Sequence, residues 1–138
     1  MKKTNYQDFE INPKIKLAFF WTAVTLCYLY GDYFELYVPH KVEGLISGDN
    51  LLNNPSKLLS AAIMLAIPAL MVIASIILKP TINRLLNIIF GFIYTTIMII
   101  VGITSFSNWM TFYIFLAIVE SIITLLIVRY AWTWPKQN

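Results

Sequence analysis

Three carboxylates lie inside long apolar stretches of this sequence, and they are the groups there best suited to do chemistry. Asp32 and Glu35 belong to the run "YLYGDYFELYVPH", and Glu120 belongs to "FLAIVESI". Inserting a charged side chain into hydrocarbon costs about 2.5 to 3.5 kcal/mol on insertion scales, so such a residue normally faces other helices and has a partner. We therefore expect Asp32 and Glu120 to hold a basic or hydrogen-bonding group.

Aromatic and amide side chains recur around these acids at helical spacing, which places them on the same side of each helix. The stripes comprise Trp21, Thr25, Tyr28, Asp32 and Glu35 on the first apolar stretch, Asn83, Asn87, Gly91 and Tyr94 on the third, and Tyr113, Glu120 and Thr124 on the fourth. This pattern predicts an inward cavity that opens toward the outer side. The predicted ligand-binding residues are Asp32, Glu120, Glu35, Tyr28, Tyr94, Tyr113, Asn87 and Trp21.

An alternative interpretation is that these polar groups only join helices to one another by hydrogen bonds, without any ligand. It fits Asn83 and Asn87 best, whereas Glu35 is close enough to the outer end to reach water or to pair with His40 or Lys41. A single histidine without E-x-x-H spacing predicts no metal site. No nucleophile or phosphate-binding motif occurs, so we expect neither cofactor nor catalytic residues and leave enzymatic activity open.

The elements that position these residues follow from composition, because 59% of the chain is hydrophobic and only 12% is charged. Four apolar windows, residues 15–38, 58–78, 82–103 and 109–130, are each long enough to cross ~30 Å of hydrocarbon. We predict an all-α fold in which residues 1–138 form one antiparallel four-helix transmembrane bundle. Short connections predict that the second, third and fourth helices pack in sequence. The external loop, residues 39–57, has apolar positions that predict contact with the membrane surface.

The lysine and arginine distribution predicts the orientation, because these residues accumulate on the cytoplasmic side. With both termini cytoplasmic, that side carries Lys2, Lys3, Lys14, Lys16, Lys79, Arg84, Arg129 and Lys136, and the outer side carries Lys41 and Lys57. The net charge of +3 is thus a topological signal. It forms no continuous basic stripe, so we expect no nucleic-acid partner. Cys27 is the only cysteine, and it cannot form an internal disulfide.

The order of features resembles that of small bacterial four-span proteins of the DoxX-like type. The resemblance rests on "CYLYGDYFELY" in the first helix, "NPSKLLSAAIMLAIPALM" after the longer loop, and "FLAIVESI" with "RYAWTWP" at the end. Such proteins are similar in layout to the sterol-isomerase and sigma-two-type bundles, which bind lipophilic, often cationic, ligands near acidic residues. The resemblance implies a bacterial inner-membrane protein in which Asp32 and Glu120, with Glu35 third, are the candidate acids.

Three functions remain open at this stage. The leading hypothesis is a multi-pass membrane protein that binds a lipophilic or amphiphilic small molecule in an acid-lined cavity. The second is a proton-coupled exporter of such molecules. The third is a structural subunit whose polar stripes recognise a partner. Membrane lipid is the expected surrounding, and a homo-oligomer or a partner membrane protein is compatible with all three hypotheses.

Overall fold

The computed structural model describes residues 8–136, and within this range the chain is helical and contains no β-strand. The helices are α1 (Pro13–Glu35), α2 (Lys41–Ser47), α3 (Pro55–Ile77), α4 (Pro80–Thr104) and α5 (Thr111–Trp132), with a 3₁₀ turn at Asn108–Met110 before α5. The predicted all-α class is therefore confirmed. Lys2 and Lys3, which enter the charge count above, lie outside the described residues.

Three of the long helices are long and apolar enough to cross a membrane. They are α3, α4 and the segment Asn108–Trp132 that contains α5. These correspond to the second, third and fourth predicted spans. Helix α1 has 23 residues, as many as α3, but it includes Lys14, Lys16, Asp32 and Glu35 and is correspondingly less apolar. Its membrane crossing therefore stays a prediction.

Helices α1 and α3 each begin with an asparagine cap followed by a proline. The Asn12 side chain accepts a hydrogen bond from the Lys14 amide at 2.9 Å, and the Asn54 side chain accepts one from the Lys57 amide at 2.9 Å. Each bond satisfies one of the amides that the first helical turn leaves without an intrahelical partner. A proline then occupies the first helical position in α1, α3 and α4. Proline is favoured there because its fixed φ suits the helix and its missing N–H costs nothing.

The packing order differs from the predicted one. Helix α1 packs against both α3 and α5, and α4 packs closely on α5, but α3 and α4 meet at only a few points. The expectation that α3 and α4 pack as close neighbours is therefore wrong. The reason is the size of the side chains between them: Trp21 of α1 and Tyr94 of α4 are buried with their rings edge to face at 5.9 Å. These two rings occupy the space between α3 and α4.

Helices α4 and α5, in contrast, pack closely against each other, because a small residue lies at their contact. A Cβ atom at Gly91 would lie 2.6 Å from Cγ2 of Val128 and 3.4 Å from the Thr124 carbonyl oxygen. The Thr95 and Thr124 hydroxyls hydrogen-bond across the same contact at 2.7 Å. Close approach at glycine with hydroxyl bonds across the interface is how helices associate where no water drives them together.

The loop between α1 and α3 contains the short helix α2 and lies apart from the other helices. None of its helical residues is buried, and Ile46 and Leu51 are 82% and 87% exposed. Two left-handed residues bound α2, His40 with φ 63° and Gly48 with φ 81°. The exposed apolar side chains agree with the predicted location on a membrane surface.

Candidate functional site

Part of the predicted polar stripes forms a hydrogen-bond network that joins α1, α3 and α4. Trp21 Nε1 donates to Asn87 Oδ1 at 2.7 Å, and Asn87 Nδ2 donates to Asn83 Oδ1 at 2.7 Å. Asn83 Nδ2 in turn donates to the Ser75 carbonyl oxygen at 2.6 Å. Trp21, Asn83, Asn87 and Ser75 are all fully buried. Because these groups satisfy one another, this geometry favours the interhelical alternative for Trp21 and Asn87 over ligand binding.

Tyr94 also has a partner within the protein. Its hydroxyl donates a hydrogen bond to the Met64 carbonyl oxygen in the middle of α3. In an unbroken helix that carbonyl would accept from the amide four residues later, but residue 68 is proline and has no N–H. Tyr94 therefore supplies the donor that Pro68 removes. The sequence contained this signal, since a proline within an apolar span predicts a free carbonyl four residues earlier.

Glu120 and Tyr28 differ from these residues, because both are buried and neither side chain has a hydrogen-bond partner. Glu120 is 4% exposed, and among residues 8–136 no hydrogen bond or ion pair joins its carboxyl group. Tyr28 is 8% exposed, and its hydroxyl is the one side-chain polar atom in the described chain that is both closed off from solvent and without a partner; the Glu120 carboxyl oxygens have no partner but are not fully closed off. The two lie close enough for a charge on Glu120 to act on the Tyr28 hydroxyl. Buried polar groups without partners are rare in folded proteins.

Asp32 and Tyr113 lie near Glu120 and Tyr28 and are more exposed than these two residues. Asp32 is exposed, and it is near enough to Glu120 and Tyr113 to interact with them electrostatically; the inward orientation of its side chain stays a prediction. Tyr113 is half-buried, and its ring lies 3.5 Å from the position that a Cβ atom on Gly31 would take. Gly31 thus lies where the C-terminal end of α1 meets the beginning of α5. We call Tyr28, Asp32, Tyr113 and Glu120 the acid cluster.

Glu35 does not belong to the acid cluster. Its carboxylate forms an ion pair with Lys41 Nζ, which is one of the pairings expected from the sequence. Both side chains are partly exposed, so the pair is screened by solvent and contributes little stability. The ion pair joins the end of α1 to the start of α2. It gives Glu35 a structural role at the C-terminal end of α1.

Two cavities of the described chain are not lined by the acid cluster. One is an open apolar groove of about 350 Å³ between α4 and α5, lined by residues that include Met98, Gly102 and Leu125. The other, of about 500 Å³, lies where α1 and α4 begin and is lined by basic and tryptophan side chains. Neither is lined by any of the eight predicted ligand-binding residues. The predicted acid-lined cavity is therefore neither of these two spaces.

Some residues of these contacts were missed by the sequence-based prediction. Ser75 and Met64 contribute their backbone carbonyl oxygens, which no side-chain pattern can reveal. Within residues 8–136 no group of three or more histidine, cysteine, aspartate and glutamate side chains could hold a metal ion.

Residues 4–138 match the model of a family of unknown function, DUF6326. No curated protein and no solved structure matches the chain. The resemblance to DoxX-like proteins and to sterol-isomerase and sigma-two-type bundles is not among these findings, so it stays a prediction.

Proposed function

The chain belongs to the DUF6326 family, whose function is unknown, and we propose that it is a membrane protein that binds the cationic head of a lipophilic small molecule at Glu120. The observation that carries the proposal is the buried Glu120, whose carboxyl has no hydrogen-bond partner among residues 8–136 and lies near enough to the unpaired Tyr28 hydroxyl to interact with it electrostatically. An isolated buried carboxylate is strongly unfavourable, and either a proton or a bound cation removes that cost. A primary ammonium group could donate to both Glu120 and Tyr28.

The exposure of the acid cluster supports a path to this position. Asp32 is exposed, Tyr113 is half-buried and Glu120 is buried, so the cluster leads from the surface between α1 and α5 to the interior. In the proposal, Asp32 attracts the cation and the Tyr113 ring contacts it on the way to Glu120. The apolar tail of the ligand stays outside among lipid chains, which removes the need for a large cavity.

Ligand-dependent thermal stability in detergent tests this proposal, with dodecylamine as the probe and dodecanol as its uncharged counterpart. An occupied site stabilises the folded state, and a ligand at ten times its Kd adds about 1.4 kcal/mol. We expect the amine to raise the Tm of the wild type and dodecanol to leave it unchanged. In Glu120→Gln the amine-dependent rise should disappear, and in Tyr28→Phe it should shrink.

Glu35→Gln is the matched control, because it removes a glutamate at the end of α1 that already has Lys41 as partner. It should keep the full amine-dependent rise. Equal rises in the wild type and in Glu120→Gln would overturn the proposal, since they would show that the amine acts through the detergent micelle or through another part of the chain.

A second candidate function, proton-coupled export of such molecules, is favoured by the same unpaired carboxyl. A carboxyl that binds a proton and a cation in turn can exchange one for the other across a membrane. Reconstituted protein should then accumulate a labelled amine only while a pH gradient exists. Amine binding without gradient-dependent uptake would limit the protein to the first function. Transport would also favour a homo-oligomer, because one copy offers little room for a path.

For the location, we propose that α1 crosses the membrane together with α3, α4 and α5 as an antiparallel bundle. Both termini then lie in the cytoplasm, and the membrane is the bacterial inner membrane. Contacts at the helix ends support this arrangement. Lys14 Nζ donates to the Leu78 carbonyl oxygen at 2.6 Å, and Arg84 Nε donates to the Ala131 carbonyl oxygen at 3.1 Å, so α1 and α4 begin where α3 and α5 end. A structural subunit of a larger membrane complex remains the third hypothesis.

A further inference from the structure

The second cavity of about 500 Å³ carries three positive side chains and lies where α1 and α4 begin and α5 ends. Lys14, Arg84 and Lys136 contribute to its wall, and no acidic residue does. Acidic side chains occur nearby in sequence at Asp8 and Glu10, but they do not line it. The concentration of like charge predicts a strongly positive potential inside this cavity.

Two of these cations are held in place by backbone carbonyl groups. Lys14 Nζ donates to the carbonyl oxygens of Ile76 at 3.2 Å and Leu78 at 2.6 Å, at the end of α3. Arg84 donates to the carbonyl oxygens of Ala131 at 3.1 Å and Trp132 at 3.5 Å, at the end of α5. The last turn of a helix leaves its carbonyl groups without intrahelical donors, and these bonds supply donors there, although the Ala131 carbonyl also accepts from the Trp134 amide at 3.4 Å. The bonds fix both cationic heads and reduce the entropy that a ligand would have to remove.

Donor groups remain available after these bonds. An ammonium group has three donors and a guanidinium group has five, so one on Lys14 and three on Arg84 are left for a ligand. Lys136 makes no hydrogen bond with any other residue of the range 8–136. A phosphate group, with several acceptor oxygens and negative charge, suits such a set of donors.

The surroundings of the cavity indicate where the phosphate comes from. Trp132 and Trp134 line the cavity, and tryptophan is enriched where lipid head groups meet the hydrocarbon core. Beside the cavity, Ile77 and Ile82 are exposed apolar residues at the ends of two membrane-crossing helices. Lipid chains can run along these helices while the head group enters the cavity. Basic pockets between membrane helices are a known setting for anionic lipid head groups.

We propose that this cavity binds the phosphate of an anionic phospholipid, and that the side chains of Arg84, Lys14 and Lys136 contact the phosphate oxygens. The site is separate from the acid cluster, so it stands whether or not Glu120 binds a cation. It would fix the depth and rotation of α1, α4 and α5 at the membrane edge. The lipid would bind to the side of the membrane on which both chain ends lie.

Native mass spectrometry of the full-length protein in detergent tests the proposal by counting bound lipid during titration. The probes are dioleoyl phosphatidylglycerol, which is anionic, and dioleoyl phosphatidylcholine, which has a phosphate but no net charge. We expect tighter binding of phosphatidylglycerol. Each cation near a lipid surface contributes about five-fold in affinity, so Lys136→Gln should weaken that binding by about this factor. Arg84→Gln should weaken it more, because it also removes a donor fork.

Lys136→Gln is the decisive variant, because Lys136 bonds to no helix end and its loss leaves the α3 and α5 carbonyls satisfied. Lys57→Gln is the matched control at the opposite end of α3, where Lys57 Nζ donates only to Asn53 Oδ1 at 2.9 Å. It should bind lipid as the wild type does. Equal binding of the two lipids by the wild type, or equal weakening by Lys57→Gln, would overturn the proposal. Displacement of phosphatidylglycerol by millimolar inorganic phosphate would also overturn it, since the site would then take free phosphate.

Discussion

The Tyr94 hydroxyl of α4 donates a hydrogen bond to the Met64 carbonyl oxygen of α3, at the one turn of α3 where a proline removes the intrahelical donor. Tyr94→Phe should therefore leave that carbonyl without a partner in an apolar environment. The expected loss is about 1 to 3 kcal/mol in the free energy of unfolding, the usual penalty for a buried unsatisfied polar group. Thermal or denaturant unfolding in detergent measures it.

A second substitution separates this hydrogen bond from the packing of the ring. Pro68→Ala restores an amide at position 68, which can donate to Met64 within α3. In that background Tyr94→Phe should cost much less than in the wild type, and a double-mutant cycle gives the difference. The same cost in both backgrounds would mean that Tyr94 stabilises the protein through its contacts with Trp21 and Tyr28 alone.

The limits of sequence-based prediction are visible along α1. Its start at Asn12 and Pro13 was predictable because capping is local chemistry. The exposure of its C-terminal end was not, because helical spacing gives the side of α1 on which a residue lies but not where neighbouring helices stop covering that side. Trp21 and Tyr28 are buried, whereas Asp32, further along the same stripe, is exposed. At that end α5 covers the side of α1 on which Gly31 lies.

The position of Glu120 was easier to predict. It lies near the middle of a helix that is otherwise apolar, so burial followed from composition alone. Its neighbours were partly predictable, since Tyr28 and Tyr113 were identified by spacing on two different helices. The arrangement of α3 was not predictable, because chain order does not reveal that Trp21 and Tyr94 would keep α3 and α4 apart.

The hydrogen-bond network around Asn87 should contribute cooperatively to stability. Asn87→Ala removes the acceptor of Trp21 Nε1 and the donor to Asn83, and it should lower the free energy of unfolding by about 2 kcal/mol. Trp21→Phe removes the matching indole donor. If the two residues act as a unit, the double variant should cost less than the sum of the single losses. Additive losses would indicate that the 2.7 Å bond contributes nothing beyond packing.

The close approach of α4 and α5 at Gly91 can be tested by an alanine substitution. Gly31, which lies at the contact between α1 and α5, provides the matched control. Gly91→Ala places a Cβ atom 2.6 Å from the stiff Val128 side chain, so we expect a loss of about 1 to 3 kcal/mol from overpacking. Gly31→Ala meets only the Tyr113 ring and Leu116 at ordinary contact distances of 3.5 and 3.6 Å. It should be neutral or stabilise the protein by about 0.5 to 1 kcal/mol, because alanine favours a helix over glycine. Equal effects in unfolding experiments would contradict this difference.

Membrane crossing by α1 can be tested by labelling single cysteines in intact cells with a maleimide that does not cross membranes. The background is Cys27→Ser, since Cys27 is the only native cysteine. The probe positions are Asp8→Cys, Ser47→Cys and Thr133→Cys, all at exposed residues. If α1 crosses the membrane and both chain ends are cytoplasmic, only Ser47→Cys should react. Permeabilised cells should label all three, which controls for the reactivity of each thiol.

The pattern of labelling distinguishes the alternatives, because residues 8 and 47 lie on either side of α1. If α1 lies along the membrane surface and only α3, α4 and α5 cross, Asp8→Cys should become reactive together with Ser47→Cys. An inverted bundle would instead expose Asp8→Cys and Thr133→Cys and protect Ser47→Cys. A surface location for α1 would leave Asp32 and Tyr28 in the head-group region, where water can satisfy both. The proposed cation site at Glu120 therefore requires that Asp8→Cys and Ser47→Cys react from opposite sides.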